Sequence, residues 1–252
     1  MRQDITKKIK QNQDYWNDIA DVYNNLYDDN WSNLENNHIA SQLKLLLNPE
    51  NSTVLDLGCG TGLGYEMCKK HCTNLEYTGV DVSNKMIVQF KERHPNVRAI
   101  VGDMGSLTGI NENSFDFVIS TFSAFSFTDD IALTVKEIKR VLKPDGKIMI
   151  TGLGKYSLRR LLLLRFGDAE VYKTRGSTHQ MYTKAWVFSK KNLMSKFSFE
   201  NFTSIKVEGY NAFGGLPLLT KFPSTWRISK LLSQLIPNIS HELIITAKIN
   251  KS

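Results

Sequence analysis

The chain has 252 residues, is 41% hydrophobic and 23% charged, and carries a formal charge of +7. A chain of this size and composition can bury a globular core without disulfide or metal staples. No apolar run approaches the roughly 18 residues of a membrane span, and the polar, charged start from Met1 to Asp18 argues against a secretory leader. The cysteines number three, Cys59, Cys68 and Cys72, an odd count that speaks against a disulfide framework and for a cytoplasmic location. Cys68 and Cys72 flank His71, but no second Cys/His cluster completes a four-ligand set, so no metal is expected.

In chain order, Asp14–Tyr27 and Asn33–Leu47 read as helices, ended by Asn48-Pro49. Strand-like runs follow at Thr53–Leu57, Leu75–Val80, Val97–Val101, Phe115–Ser120 and Lys147–Thr151. Helical stretches at Leu63–His71, Ser83–Arg93 and Asp129–Leu142 separate them, the last ended by the turn Lys143-Pro144-Asp145-Gly146. Such alternation predicts right-handed βαβ units around a mostly parallel sheet. Further on, Lys155–Arg165 reads as a basic amphipathic helix and Gly167–Trp186 as irregular. Asn192–Phe197 reads as a helix, with strands at Thr203–Val207 and Leu243–Ile249. The connection Asn211–Pro237 is too long for a hairpin and is read as part of an acceptor pocket or its cover. The chain is read as one domain: a helical N-terminal part (1–47), a cofactor core (53–151) and acceptor-side elements with the last two strands (152–252).

The sharpest motif is Val54-Leu55-Asp56-Leu57-Gly58-Cys59-Gly60-Thr61-Gly62. A buried strand ends in a glycine turn that opens a helix, the place where α/β folds hold nucleotide cofactors. The third glycine of a dinucleotide fingerprint is missing, since position 63 is leucine, and Asp56 would repel a pyrophosphate. A carboxylate there suits the amino group of a cationic amino-acid tail instead.

At these residues the chain resembles the class I S-adenosylmethionine (SAM)-dependent methyltransferases. The resemblance spans about Tyr15 to Ile150 and reaches the C-terminal third only in outline. It implies a doubly wound, mostly parallel α/β sheet of seven strands, the last two an antiparallel edge pair, with N-terminal lid helices. It implies SAM as cofactor and S-adenosylhomocysteine as product. Gly58, Cys59, Gly60 and Gly62, with Asp56 before them, would hold the methionine part and ribose. Asp81, 19 residues after Gly62, would take the ribose hydroxyls. Val82 and Met86 would pack the adenine, Asp103 would accept its amino group, and Met104 would lie on its face. Ser120 ends the fourth strand within the same set, and Tyr23 on the lid helix either closes over the cofactor or packs onto the domain.

An in-line methyl transfer requires positioning, and a base if the acceptor is a hydroxyl. The base candidates are His179 and Asp129, the latter also read as a helix cap. Phe122, Phe125, Tyr182 and Trp186 are the candidate acceptor contacts. No Pro-Pro motif follows the fourth strand and no cysteine lies beyond Cys72, which argues against the DNA methyltransferase classes. From Lys136 to Lys206 there are 16 Lys/Arg against 5 Asp/Glu, but dispersed, so RNA is disfavoured. The expected partner is a small apolar or acidic acceptor, with peripheral membrane contact left open. The reading is methylation of an O or N atom of a small or lipophilic metabolite. The alternatives are an RNA or protein methyltransferase, and a SAM-binding partner protein without catalysis.

Overall fold

The computed structural model describes residues 2–174 and 180–250. The N-terminal helix α1 (Arg2–Ile19) is followed by one short turn, α2 (Tyr23–Leu26), and by α3 (Asn30–Leu46). Asp29 caps α3, its carboxylate accepting from the Trp31 and Ser32 amides. The expected single helix from Asp14 to Tyr27 is thus broken at residues 20–22, a bend that turns the Tyr23 side chain toward the sheet.

The core then alternates as expected. The strands β1 (Asn51–Leu57), β2 (Asn74–Asp81), β3 (Arg98–Val101), β4 (Phe115–Ser120) and β5 (Leu142–Gly154) are parallel and lie in the order 3-2-1-4-5. Crossover helices α4 (Leu63–Lys69), α5 (Asn84–Arg93) and α6 (Ile131–Val141) cover its faces. Order reverses between β1 and β4, so the carboxyl ends of these two strands open a crevice for a ligand. Val54, Leu55, Leu57, Val118 and Ile119 are buried on both faces of the sheet, as a central parallel strand requires.

Past β5 the structure departs from the sequence reading. The segment read as irregular contains an antiparallel pair, β6 (Ala169–Lys173) and β7 (Tyr182–Phe188), and β7 runs parallel to β5. With β8 (Phe202–Tyr210) and β9 (Glu242–Ile249), an antiparallel pair added onto β5, the sheet has nine strands. The basic helix is shorter than read: α7 spans only Leu158–Leu162. Helix α8 (Lys190–Ser198) precedes β8, and the long connection holds α9 (Pro217–Thr220) and α10 (Trp226–Leu235). Among the described residues no helix is long and apolar enough to cross a membrane. Cys68 and Cys72 are both buried free thiols in or just after α4.

Candidate active site

The glycine loop is pinned to β2 by the chain itself. Amides of Gly58 and Cys59 donate to the Val80 carbonyl at 2.7 and 3.1 Å, and Gly60 N donates to Asp81 Oδ2 at 2.9 Å. Gly58, Gly60 and Gly62 all have positive φ (78°, 51° and 105°), which a side chain resists. The three positions have different surroundings. A Cβ on Gly58 would strike Ala124, and one on Gly62 would come within 2.9 Å of the His94 ring, whereas one on Gly60 meets nothing within 4 Å. Gly60 therefore presents bare backbone to open space.

Each predicted cofactor residue has a definite place. Asp81, 8% exposed at the end of β2, also accepts from Ser83 N at 2.8 Å. Burial pushes its carboxyl up to about 6, against the opposing bonds from Ser83 and Gly60. Asp56 is buried, its Oδ2 takes the Tyr77 hydroxyl, and its Oδ1 has no partner. Burial pushes Asp56 up to about 7. Asp103 accepts from Gly105 N at 3.1 Å and is also pushed up by burial. The Met104 methyl would lie 3.7 Å from a Cβ on Gly58, beside the loop.

Other members of the predicted set are spent on packing. Cys59 is wedged against Gly79 and buried. The Ser120 hydroxyl donates to the Leu57 carbonyl at 2.7 Å, tying β4 to β1. Met86 is buried against Tyr15, Ile19 and Ala20 of the N-terminal segment. Val82 is half-buried, and its carbonyl accepts from Gln13 of α1 at 3.0 Å.

Helix α1 clamps the end of β2: Asn17 Oδ1 accepts from Ser83 Oγ and Lys85 N, and Gln89 holds the Ala20 carbonyl. Asn24 accepts from Thr61 in the glycine loop at 2.8 Å. Tyr23 packs edge-on to Trp16, which in turn meets Phe127 at 5.0 Å. Burial drives the Tyr23 phenol far above its ordinary range, and Tyr27, Asp81 and Glu242 add to the effect. Tyr23 is thus within electrostatic reach of Asp81 and of a carboxylate that the sequence reading did not single out.

That carboxylate, Glu242, opens β9 and pairs in register with Leu153 of β5 and Tyr210 of β8. It is 8% exposed and accepts from Ser123 Oγ. A second carboxyl, Glu35 of α3, accepts from Asn211, which accepts from Trp31 Nε1 at 3.1 Å. Burial and the neighbouring charge of Glu242 push Glu35 well above the ordinary carboxyl range, and burial pushes Glu242 up as well. The buried Tyr210 hydroxyl bears on the same carboxyl and, with Ser123, opposes the upward push of burial on Glu242. Phe122, Ser123 and Asn211, all non-glycine, hold φ of 51°, 60° and 59°. Strained backbone at three residues of one polar cluster is typical of functional sites.

The acceptor residues read from sequence are only partly brought together. Phe122 is half-buried and packs among the core residues near Tyr210. Phe125 is fully buried, stacked 5.7 Å from Phe188 and 5.9 Å from Phe197, so it belongs to the core and faces no pocket. Trp186 donates to the Thr128 carbonyl at 2.9 Å with Lys184 over its ring, and Tyr182 is 45% exposed at the start of β7. Asp129 precedes α6, but the cap is Asp130, which accepts from the Ala132 and Leu133 amides. His179 lies outside the described residues.

A nucleotide-type crevice at the carboxyl ends of parallel strands, with acids at the ends of β1, β2 and β3, defines a Rossmann-like cofactor-binding domain. Residues 55–150 match the family described as "Methyltransferase domain". The demethylmenaquinone methyltransferase of Thermotoga maritima is 32% identical over 146 residues, 58% of this chain and 56% of that protein. The malonyl-[acyl-carrier protein] O-methyltransferase of Priestia megaterium is 27% identical over 125 residues, 49% of this chain and 44% of that protein. The chain spans about half the length of these curated relatives. Among solved structures, a putative methyltransferase complexed with the Haloferax volcanii Trm112 activator superposes with a TM-score of 0.68 at 19% identity, covering 95% of this chain and 98% of that one. A Thermotoga maritima protein described as a possible histamine N-methyltransferase gives 0.64 at 20% identity, covering 92% and 99%. Residues 55–150 thus resemble a methyltransferase domain, on a fold shared with solved SAM-dependent methyltransferases.

The residues fit SAM on three counts. Gly60 offers open backbone, Asp56 has an unpartnered buried oxygen that would suit a cationic amino group, and Asp81 closes β2 where the resemblance expects a ribose acid. Asp81→Ala is expected to weaken S-adenosylhomocysteine binding by roughly 1.5–3 kcal/mol in calorimetry. Both acids have raised folded-state values, so their contribution to folding stability is present at low pH and lost as pH rises through about 6 to 7. Ligand affinity is expected to run the other way, because the cofactor's ammonium would favour the Asp56 carboxylate and its ribose hydroxyls would donate to the Asp81 carboxylate. Affinity for SAM is expected to fall as pH drops from about 7 to 5, and a flat profile would remove both acids from the site.

Proposed function

We propose that this protein transfers a methyl group from SAM to an O or N atom of a small or lipophilic metabolite. The observation that carries this reading is the buried network Ser123–Glu242 beside Glu35 and Asn211, set where Glu242 pairs with Leu153 at the carboxyl end of β5. SAM supplies an electrophilic methyl group on a sulfonium. The protein holds the acceptor atom in line and excludes water, with Trp16, Tyr23 and Phe127 forming the aromatic wall. Glu242 takes the proton released by the acceptor hydroxyl or ammonium, Ser123 orients its carboxyl, and Glu35 keeps its own proton at neutral pH. His179, outside the described residues, and Asp129 remain further candidates for that base. The names of the relatives support the reading, since they act on demethylmenaquinone and malonyl-acyl carrier protein.

The basic face gives less support to RNA or protein as acceptor. Several of its cations are already paired: Lys155 with Asp168, Lys139 with Glu200, Lys206 with Glu208, and Arg159, Arg160 and Arg165 all with Glu170. Burial raises the Glu170 carboxyl, but Arg159 and Arg160 outweigh it and hold the group below its usual range. Incubation with methyl-labelled SAM and a panel of amines, hydroxy acids and quinols is expected to label a small molecule. Label in RNA or protein alone would replace this reading with the macromolecular one, and no label in any acceptor would favour a SAM-binding partner protein.

A further inference from the structure

Helix α10 is built inside out for a helix in water. Its inward side carries Ser229 and Ser233, both fully buried, while Ile228, Leu231 and Leu235 at helical spacing are 56%, 55% and 70% exposed. Ser229 Oγ accepts from Phe213 N at 3.1 Å, so the helix is fixed in this orientation and has not merely rolled over. The short helix α9 before it leaves Leu218 exposed, and Phe222 follows, also exposed. A third stretch joins them. Leu158 of α7 packs against the cluster Trp31, Ala212 and Phe213, as do Trp226 and Leu232 of α10, and Gly215 lies against the Arg159 side chain. The chain leaving α7 then exposes Leu162, Leu164 and Phe166 beside the same connection. Soluble monomers rarely expose a contiguous apolar patch of this extent without a partner.

The charges on the α9–α10 part of this face have one sign. No Asp or Glu occurs from Asn211 to His241, whereas Lys221, Arg227 and Lys230 do, all exposed. Among the described residues none of the three forms an ion pair. We propose that α9, α10 and the turn after α7 form a membrane-docking face that inserts its leucines among acyl chains and sets its cations against anionic lipid headgroups. Apolar side chains flanked by lysine and arginine are the make-up of interfacial helices. A second copy of the chain fits less well, because a twofold contact would bring Lys221, Arg227 and Lys230 against their own counterparts. The face adjoins the acceptor side of the sheet, since Asn211 and Phe213 begin the connection and Trp31 bridges them to α3. A membrane-dissolved acceptor would therefore reach Glu242 from the bilayer side. The docking itself does not depend on methyl transfer.

Vesicle flotation of the full chain tests this, with phosphatidylcholine vesicles with and without about one third phosphatidylglycerol. The protein is expected to float with anionic vesicles, less so as salt rises, and at least about tenfold less with neutral ones. The triple variant Ile228→Ser, Leu231→Ser, Leu235→Ser is expected to lose about tenfold or more of that binding. Its melting temperature and S-adenosylhomocysteine binding should be unchanged, because the replaced side chains face outward. Arg227→Glu with Lys230→Glu, which leaves the apolar face intact, should lose the preference for anionic vesicles. No flotation of folded wild-type protein at low salt would overturn the proposal, as would full binding by both variants. A doubled mass in light scattering that the serine variant returns to a monomer would instead assign the face to a second copy.

Discussion

Gly60→Val is expected to reduce S-adenosylhomocysteine affinity by more than about 100-fold, about 2.8 kcal/mol or more. Two effects act together. Gly60 holds φ of 51°, a left-handed conformation that is an outlier for a β-branched residue and costs roughly 1–3 kcal/mol. The new methyl groups would also project into the one direction along the loop where a Cβ meets no protein atom, the space assigned to the cofactor. Gly109 separates the two effects. It has φ of 79°, lies exposed in a turn away from the crevice, and likewise has open space at its Cβ. Gly109→Val should lower the melting temperature by a similar amount while leaving ligand affinity unchanged. Equal affinity in wild type and a folded Gly60→Val protein would mean the cofactor does not cross the loop there.

Glu242→Gln is expected to lower turnover by about 10²–10⁴-fold with cofactor affinity intact, the range for removal of a general base. Glutamine keeps the shape and can still accept from Ser123, so loss of turnover would report loss of proton acceptance and not of packing. The pH profile gives a second readout. Burial raises the Glu242 carboxyl and so disfavours its charged form, and turnover of the wild type should rise with pH as that form is gained. The variant should lose that limb of the profile. A loss of less than about threefold, well below that range, would leave positioning alone as the contribution of this carboxyl. His179 or Asp129 would then be the next groups to replace.

The strand–glycine turn–helix unit and the strand-ending acids were legible because their signals are local. The strand, the glycine turn and the helix start occupy nine consecutive residues, and Asp81 and Asp103 each end a strand of their own. The acceptor half is not local. Glu35, Ser123, Asn211 and Glu242 come from α3, the turn after β4, the end of β8 and the start of β9, and no spacing in the sequence joins them. A carboxylate directly before the apolar run Leu243–Ile245 was the one available hint. The β6–β7 pair was missed for a different reason. Its buried positions include Glu170 and Thr183 while Val171 is 67% exposed, the reverse of the usual strand pattern, because Glu170 is held inside by three arginines. In β6 an ion-pair cluster thus takes the inward position that hydrophobic alternation would assign to an apolar residue. Aromatic residues after β4 read equally well as pocket or core, and the structure divides them: Phe125 goes to the core, while Phe127 joins Trp16 near the lid. The cap of α6 lies one residue beyond Asp129, at Asp130, whose extended backbone lets its carboxylate accept from the Ala132 and Leu133 amides.

The most direct measurement is isothermal calorimetry of the purified chain with SAM, S-adenosylhomocysteine and NAD at neutral pH. The account predicts micromolar dissociation constants for the first two, about −8 kcal/mol, and no heat with NAD. Binding of NAD in that range, with neither SAM nor S-adenosylhomocysteine producing heat or a thermal shift, would contradict it.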